Sequence, residues 1–165
     1  MNKNTLIGIF LSILVLGGVW WFAKPVPGRE QSANLGSSRG KLVLEETRYD
    51  FGSVSMAAGK VNRIVKIKNQ SQDSVKVRKV YTSCMCTAAT LRKGGIDFGP
   101  FGMEGHGFTP RLNEVFVPGE EAELRVEFDP AAHGPAGVGM IEREVYVETD
   151  SGAKVNFYFK ALVTP

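Results

Sequence analysis

Strict alternation of apolar and polar residues is the pattern that restricts this chain of 165 residues most strongly. It is clearest from Glu121 to Asp129, where every second residue is apolar: Ala122, Leu124, Val126 and Phe128. Successive side chains of a strand point to opposite faces, so a period of two predicts one buried and one solvated face. No segment after residue 40 shows the longer period of an amphipathic helix, which predicts an all-β domain.

The same alternation recurs in other short segments, and turn-forming residues separate them. Apolar residues alternate with polar ones at 65–67, 75–77, 145–147 and 155–163. Turn signals lie between the segments at Asn69–Asp73, Pro118–Glu120, Asp129–Pro130 and Asp150–Gly152. Strands at this spacing predict an antiparallel β-sandwich, and the inward side chains are bulky enough to fill the space between two sheets about 10 Å apart.

An uncharged apolar run, Thr5–Ala23, predicts one N-terminal transmembrane helix within residues 1–23. At a helical rise of about 1.5 Å per residue the run spans roughly 28 Å, close to the thickness of a bilayer core. The aromatic residues Trp20–Phe22 close it, where the membrane interface favours such side chains. A cleaved signal peptide is the alternative, but the run exceeds the usual ~7 to 15 apolar residues and no small-x-small site follows it.

Residues 24–40 mix Pro, Gly, Ser and Asn and are predicted to form a flexible linker, which leaves residues 41–165 as one domain. The basic residues flanking the apolar run would by themselves keep that domain in the cytoplasm. A domain of this size after a single N-terminal apolar segment is, however, commonly translocated regardless of such charges. We therefore expect a single-pass cell-membrane protein whose domain lies on the extracytoplasmic side.

Charge and composition exclude nucleic-acid binding and leave little material for catalysis. Lys and Arg number 20 against 17 Asp and Glu, and from residue 41 onward the two counts are equal at 16. A neutral domain lacks the dense basic face that nucleic acids require. A cysteine nucleophile would need a base, and only His106 and His133 could serve, with no orienting carboxylate readable from the sequence. We predict that the protein is not an enzyme.

The segment 88–117 breaks the alternation and is predicted to be a long insertion in the domain. A structureless loop of that length is unusual in a small domain, so it is either a functional excursion or a lid packed by its own aromatic residues. Its glycine-rich part, Gly94–Pro110, is the predicted contact surface, and Phe98, Phe101 and Phe108 are the predicted binding residues.

Several short motifs of the domain resemble, in order, those of the bacterial DUF1573 family. They are Tyr49-Asp-Phe-Gly-Ser-Val54, Ile67-Lys-Asn69, Val75-Lys-Val77, Ser83-Cys-Met-Cys-Thr87, Pro118-Gly-Glu120 and Phe128-Asp-Pro130. The resemblance extends over about residues 42–163. It implies an envelope protein with an immunoglobulin-like sandwich, related to the ASPM-SPD-2-Hydin modules, and it implies no reaction.

Two features of the chain depart from the pattern of that family. Met85 stands where the family has a glycine between the two cysteines, and the long glycine-rich segment replaces a short connection. If Thr82–Thr87 continues a strand, Cys84 and Cys86 leave on the same face about 6.5 to 7 Å apart at Cα, near the upper limit for a disulfide. Three interpretations stay open: a structural pair, a redox-active pair and a soft-metal clamp.

Thiolate, thioether and imidazole groups together suit Cu(I), which makes copper the alternative cofactor. The candidate ligands are Cys84 and Cys86, joined by Met103 and His106 if the glycine-rich segment folds over them. His133 is interpreted as a residue of a turn. Zinc ranks lower, because structural zinc sites show three or four Cys or His ligands at recognisable spacings.

Taken together, the sequence favours a membrane-anchored, non-catalytic binding or assembly module of the cell envelope, without a cofactor. Its partners would be the membrane, through the N-terminal helix, and another envelope protein. A copper-binding or thiol-redox protein that uses Cys84 and Cys86 is the alternative.

Overall fold

The computed structural model describes residues 41–106 and 111–165, which form ten strands in two sheets. The predicted transmembrane helix within 1–23 and the linker at 24–40 lie outside these residues. Within the described part of the chain, no helix has the length and apolar character needed to cross a membrane. The strands are β1 (Leu42–Leu44), β2 (Arg48–Ser55), β3 (Val61–Asn69), β4 (Val75–Thr82), β5 (Thr87–Lys93), β6 (Ile96–Phe101), β7 (Glu114–Phe116), β8 (Glu121–Phe128), β9 (Gly139–Thr149) and β10 (Lys154–Thr164).

The first sheet has the order β1-β3-β8-β5-β6, and the second has the order β2-β10-β9-β4-β7. All five predicted strand segments and all four predicted turns are confirmed, because the apolar residues of each alternating run lie in β3, β4, β8, β9 or β10. The longest pairing joins β9 to β10, in register from Lys154 opposite Glu148 to Val163 opposite Gly139. The turn residues Asp150–Gly152 lie between β9 and β10, where the chain reverses direction and the hydrogen-bonded pairing ends.

The prediction of an antiparallel arrangement holds for every named strand pair except one. β2 runs parallel to β10, with Tyr49 opposite Phe159 and Val54 opposite Val163. The reason lies in the connections, since β1 and β2 follow each other in the chain but join different sheets. A strand that enters a sheet from the other layer is free of the hairpin constraint that makes consecutive strands antiparallel.

One hydrophobic core, formed by described residues, lies between the sheets and is built largely from the alternating residues. Burying a large apolar side chain contributes about 1.5 to 3 kcal/mol each, so these positions supply most of the stabilisation. Side chains with almost no exposed surface come from both sheets. They include Ile67, Leu91, Leu124 and Val126 of the first sheet and Val77, Val80, Val145, Val147, Phe116, Phe157 and Phe159 of the second.

The expectation of an irregular insertion at 88–117 is wrong for most of that segment. Residues 87–101 form the hairpin of β5 and β6, and 114–116 form β7. Gly94 and Gly95 make the two-residue turn, with φ of 58° and 84°, the conformation that a type I′ turn requires. Gly99, at φ 117°, lies where the register shifts, and a Cβ there would come within 2.9 Å of the Ala89 carbonyl oxygen. Gly94 and Gly95 therefore form the hairpin turn, and Gly99 lies in a β-bulge.

Candidate functional site

The two cysteines lie in a tight turn between β4 and β5, not in a continuous strand. Their Cα atoms are 5.2 Å apart and the structure joins them as a disulfide. The strand-based estimate of 6.5 to 7 Å was therefore too long, because β4 ends at Thr82 and the chain bends before Thr87. Met85 does not prevent the bend: its side chain points outward and is 62% exposed, while both sulfur-bearing side chains are buried.

Hydrogen bonds from three neighbouring elements hold this turn in place. The Thr82 hydroxyl donates to the carbonyl oxygens of Cys84 and Thr87, at 2.9 and 3.1 Å. The Asp129 amide, just after β8, donates to the Cys86 carbonyl at 2.9 Å. The Glu144 amide of β9 donates to the Ser83 hydroxyl at 2.9 Å. The sulfur positions are thus determined by strands of both sheets.

A nitrogen-bearing side chain contacts each sulfur. His133 Nε2 lies 3.2 Å from Cys84 Sγ, and Arg143 Nε donates to Cys86 Sγ at 3.4 Å. The Cys86 amide also donates to Cys84 Sγ at 3.2 Å. Cationic and N–H groups near a sulfur favour its thiolate form. These contacts would therefore stabilise each cysteine as a thiolate when the disulfide is broken.

His133 lies in a turn, as interpreted from the sequence, and it is also the histidine that the structure brings to the cysteines. It precedes the 3-10 turn Gly134–Gly137, in the connection from β8 to β9, and its ring is exposed. Gly137 packs against it, since a Cβ at Gly137 would lie 3.2 Å from the His133 Cβ. Nothing in the local sequence signals this role, because Cys84 and His133 are 49 residues apart and meet only through sheet pairing.

Cys84, Cys86 and His133 form the one group in the described residues, 41–106 and 111–165, that offers three close Cys, His, Asp or Glu metal ligands. Their ligand atoms all lie within 4.8 Å of one another. The expected partner His106 is not a member of this group. It is exposed, and its amide donates to the Met103 carbonyl at 3.2 Å. The structure therefore brings His133, and not His106, next to the two cysteines.

Met103 is half-buried beside the end of β4, where it forms an isolated bridge with Thr82. The Thr82 amide donates to the Gly102 carbonyl at 3.0 Å, which brings this connection next to the cysteine turn. The adjoining Glu104 carboxylate accepts a hydrogen bond from the Lys79 ammonium at 2.7 Å, and this bond lowers the pKa of Glu104. The connection is thus attached to β4 by its own contacts.

The three predicted binding phenylalanines have different surroundings. Phe101 is 2% exposed and belongs to the core, so it presents no contact surface. Phe98 is half-buried and packs against the core. Phe108 lies outside the described residues. The predicted contact segment Gly94–Pro110 is also not one loop, because β6 separates the Gly94–Gly95 turn from the residues after Phe101.

Comparison with known proteins supports the family resemblance over part of the chain. Residues 42–103 match the DUF1573 family. The matched residues run from β1 through the cysteine turn to β6, and the family is described as a protein of unknown function. The sequence motifs predicted a resemblance over about residues 42–163, and the match confirms it for residues 42–103. No curated protein gives a significant match to the chain.

Among solved structures, a protein of unknown function from Porphyromonas gingivalis W83 is similar with a TM-score of 0.53 at 17% sequence identity. The similarity covers 74% of this chain and 46% of that one, so this chain spans less than half the length of the Porphyromonas protein. The ASH/PapD-like domain of human CEP192 is similar with a TM-score of 0.47 at 10% identity, over 77% of this chain and 87% of that domain. At these identities the likeness concerns the fold alone.

Proposed function

We propose that the chain is a membrane-anchored, non-catalytic binding module of the immunoglobulin-like type, with its domain on the extracytoplasmic side of the cell envelope. The Cys84–Cys86 disulfide supports that location, because disulfides persist in oxidising compartments. The apolar run Thr5–Ala23 supports the anchor. The expected partner is another envelope protein.

The observation that carries the binding proposal is the open edge of β6. This strand ends the first sheet and pairs on one side, with β5, among the described residues. In a two-residue hairpin the closing pair, Lys93 and Ile96, exchanges hydrogen bonds, and the next pair, Arg92 and Asp97, does not. The amide of Asp97 therefore points away from β5, where an added strand could accept its hydrogen bond.

Side chains at this edge suit a protein partner. Ile96 is 61% exposed, and Phe98 is half-buried beside it. An extended segment that pairs with β6 would gain main-chain hydrogen bonds from the edge and apolar contact with Ile96. The predicted contact segment thus keeps a binding role as a strand edge, in place of the loop expected from the sequence.

A proline at Asp97 tests this proposal directly. Proline removes the outward N–H and is tolerated on edge strands, so Asp97→Pro should abolish strand addition and leave the domain folded. Asp97→Ala keeps the N–H and serves as the matched control. In the full-length chain in its own membranes, a photo-crosslinking phenylalanine analogue at Ile96 should capture a partner, and the yield should fall at least about tenfold in the proline variant only.

The same crosslinker at Leu162, an exposed residue of β10 in the second sheet, serves as the surface control. Equal capture from Leu162 and Ile96, or capture from Ile96 that the proline leaves unchanged, would reject the β6 edge as the contact surface. Far-UV circular dichroism of both Asp97 variants distinguishes lost pairing from lost folding.

A second candidate function, thiol–disulfide exchange, is favoured by the contacts of the two sulfurs. A thiolate of a partner dithiol would attack one sulfur and break the Cys84–Cys86 bond, and its second thiol would then resolve the mixed disulfide. Two electrons pass to the pair, the partner leaves oxidised, and the two partner protons end on Cys84 and Cys86 or in solvent. His133 and Arg143 would stabilise the sulfur that leaves.

Replacing Arg143 by glutamine should make the pair harder to reduce. The charge-assisted bond from Arg143 to Cys86 Sγ strengthens in the thiolate state, and such bonds contribute about 1.5 to 3 kcal/mol. About 1.4 kcal/mol corresponds to about 30 mV for a two-electron couple, so the potential should fall by roughly 30 mV or more. The measurement is equilibration with a dithiol buffer, with exposed Arg92→Gln as the control. An unchanged potential would remove Arg143 from this role.

A further inference from the structure

The residues around the cysteine turn also have the composition of a metal site. We propose that, once reduced, Cys84 Sγ, Cys86 Sγ and the His133 imidazole bind one Cu(I) ion. The proposal uses the cysteine pair of the thiol-exchange candidate and requires that this pair can be reduced, but it does not depend on strand addition at β6. It has His133 in place of His106, one of the ligands expected from the sequence, and it does not require Met103.

Geometry is the first support for this site. The three ligand atoms already lie within 4.8 Å of one another, and His133 Nε2 is 3.2 Å from Cys84 Sγ. Once the S–S bond is broken, the sulfurs can separate around an ion without movement of the strands, because the bonds that hold the turn, from the Thr82 hydroxyl and from the amides of Asp129 and Glu144, do not involve either sulfur. The ligands would need side-chain rotation only.

Ligand chemistry is the second support, and it selects the ion. Two thiolates with one imidazole are soft and borderline donors, which suit Cu(I). Zinc in proteins is almost always bound by four ligands, or by three with an open position for water. Both cysteines belong to the hydrophobic core, so the site has little room for water on the sulfur side. Three protein ligands, two of them buried thiolates, therefore favour Cu(I) over Zn²⁺.

Charge is the third support. Two thiolates and one Cu(I) carry a net charge of −1, and the Arg143 guanidinium at Cys86 Sγ offsets it. An uncompensated charge in the core would be unfavourable, whereas a paired one is tolerated. His133 is exposed, which gives the ion a path from solvent to the buried sulfurs.

The electron and proton balance of the site is simple. A partner or added dithiol reduces the disulfide with two electrons and is itself oxidised to a disulfide, and Cys84 and Cys86 become thiols. Binding of Cu(I) then releases the two thiol protons to solvent, because the ligands are thiolates. The ion keeps its oxidation state. Oxidation of the pair to the disulfide would expel the metal, so the two states exclude each other.

The test is a titration of the full-length protein with Cu(I), after anaerobic reduction with a phosphine and in competition with a chromophoric Cu(I) chelator. We expect one Cu(I) per chain in the reduced protein and none in the oxidised protein. Loss of a residue that merely orients a ligand typically weakens metal binding about 10- to 100-fold, so His133→Ala should weaken it at least roughly tenfold. His106→Ala is the matched control and should bind as the parent does.

X-ray absorption of the loaded protein should show two sulfur neighbours and one nitrogen neighbour, and Cys84→Ser with Cys86→Ser should abolish binding. The proposal would be overturned if the reduced protein failed to bind Cu(I), or if His133→Ala bound it as tightly as the parent. It would also be overturned by a third sulfur neighbour in place of the nitrogen, or by tighter binding of Zn²⁺ than of Cu(I). The reduction potential of the Cys84–Cys86 pair is measured on the same protein. A pair that can be reduced but does not bind Cu(I) would reject the copper site and leave the thiol-exchange candidate standing.

Discussion

Replacing Phe159 with alanine should destabilise the domain by about 3 to 5 kcal/mol, which is the usual effect of removing a fully buried phenylalanine side chain. Phe159 of β10 has no exposed surface, and its ring centroid lies 5.4 Å from that of Phe51 and 5.5 Å from that of Phe128. Phe51 comes from β2 and Phe128 from β8 of the other sheet, so the cavity would open between the two layers. Domains are commonly stable by only about 5 to 15 kcal/mol, which makes this a large loss.

Urea denaturation of the full-length chain, followed by far-UV circular dichroism, measures this loss. Tryptophan fluorescence would not, because Trp20 and Trp21 both precede the domain. Leu162→Ala in the same strand is the control, since Leu162 is 43% exposed and its truncation should change the unfolding free energy by less than about 1 kcal/mol. Similar losses for the two variants would contradict the assignment of Phe159 to the centre of the core.

Replacing Asn69 with alanine should destabilise the domain by about 2 to 4 kcal/mol, although no apolar contact is lost. Asn69 is fully buried, and its amide nitrogen donates to the carbonyl oxygens of Asp73 at 2.8 Å and Phe116 at 2.9 Å. Its Oδ1 accepts from the Ser71 amide and hydroxyl. Each buried group left without a partner costs about 1 to 3 kcal/mol. The variant would lose the side-chain hydrogen bonds that join the β3–β4 turn to the end of β7.

Asn62→Ala separates this effect from a general effect of replacing asparagine in β3. Asn62 lies in the same strand with its side chain exposed, so its replacement should change the unfolding free energy by less than about 0.5 kcal/mol. The measurement is the same urea denaturation. If Asn69→Ala behaved as Asn62→Ala does, the buried amide bonds would contribute nothing net to stability.

The alternating strands were predictable because alternation is a local property. β8 has the burial pattern expected from Glu121 to Phe128, and β10 buries Phe157, Phe159 and Ala161 as the period of two requires. The all-β class and the two-layer core follow from such segments, since each strand presents one apolar face that another layer must cover. The glycine-rich segment was wrongly predicted to be irregular because Gly94, Gly95 and Gly99 are turn and bulge residues, and their identity does not reveal that strands flank them.

The candidate site could be predicted in part. Cys84 and Cys86 were identified from their spacing and from the family motif, which are both visible along the chain. Their geometry could not be, because whether 83–86 continues β4 or turns depends on bonds from Asp129 and Glu144, far away in sequence. Which of His106 and His133 lies beside the cysteines could not be predicted for the same reason, because it depends on contacts between residues far apart in sequence.

By itself, then, the sequence determined the positions of five strands (β3, β4, β8, β9 and β10), the β class and the cysteine pair, because hydrophobic periodicity and short motifs act over a few residues. The tertiary structure alone decided that Phe101 is a core residue, that β2 runs parallel to β10, and that His133 and Arg143 contact the two sulfurs. Each of these depends on sheet order and register, which arise from packing between residues tens of positions apart. Such packing leaves no signature in the neighbouring sequence.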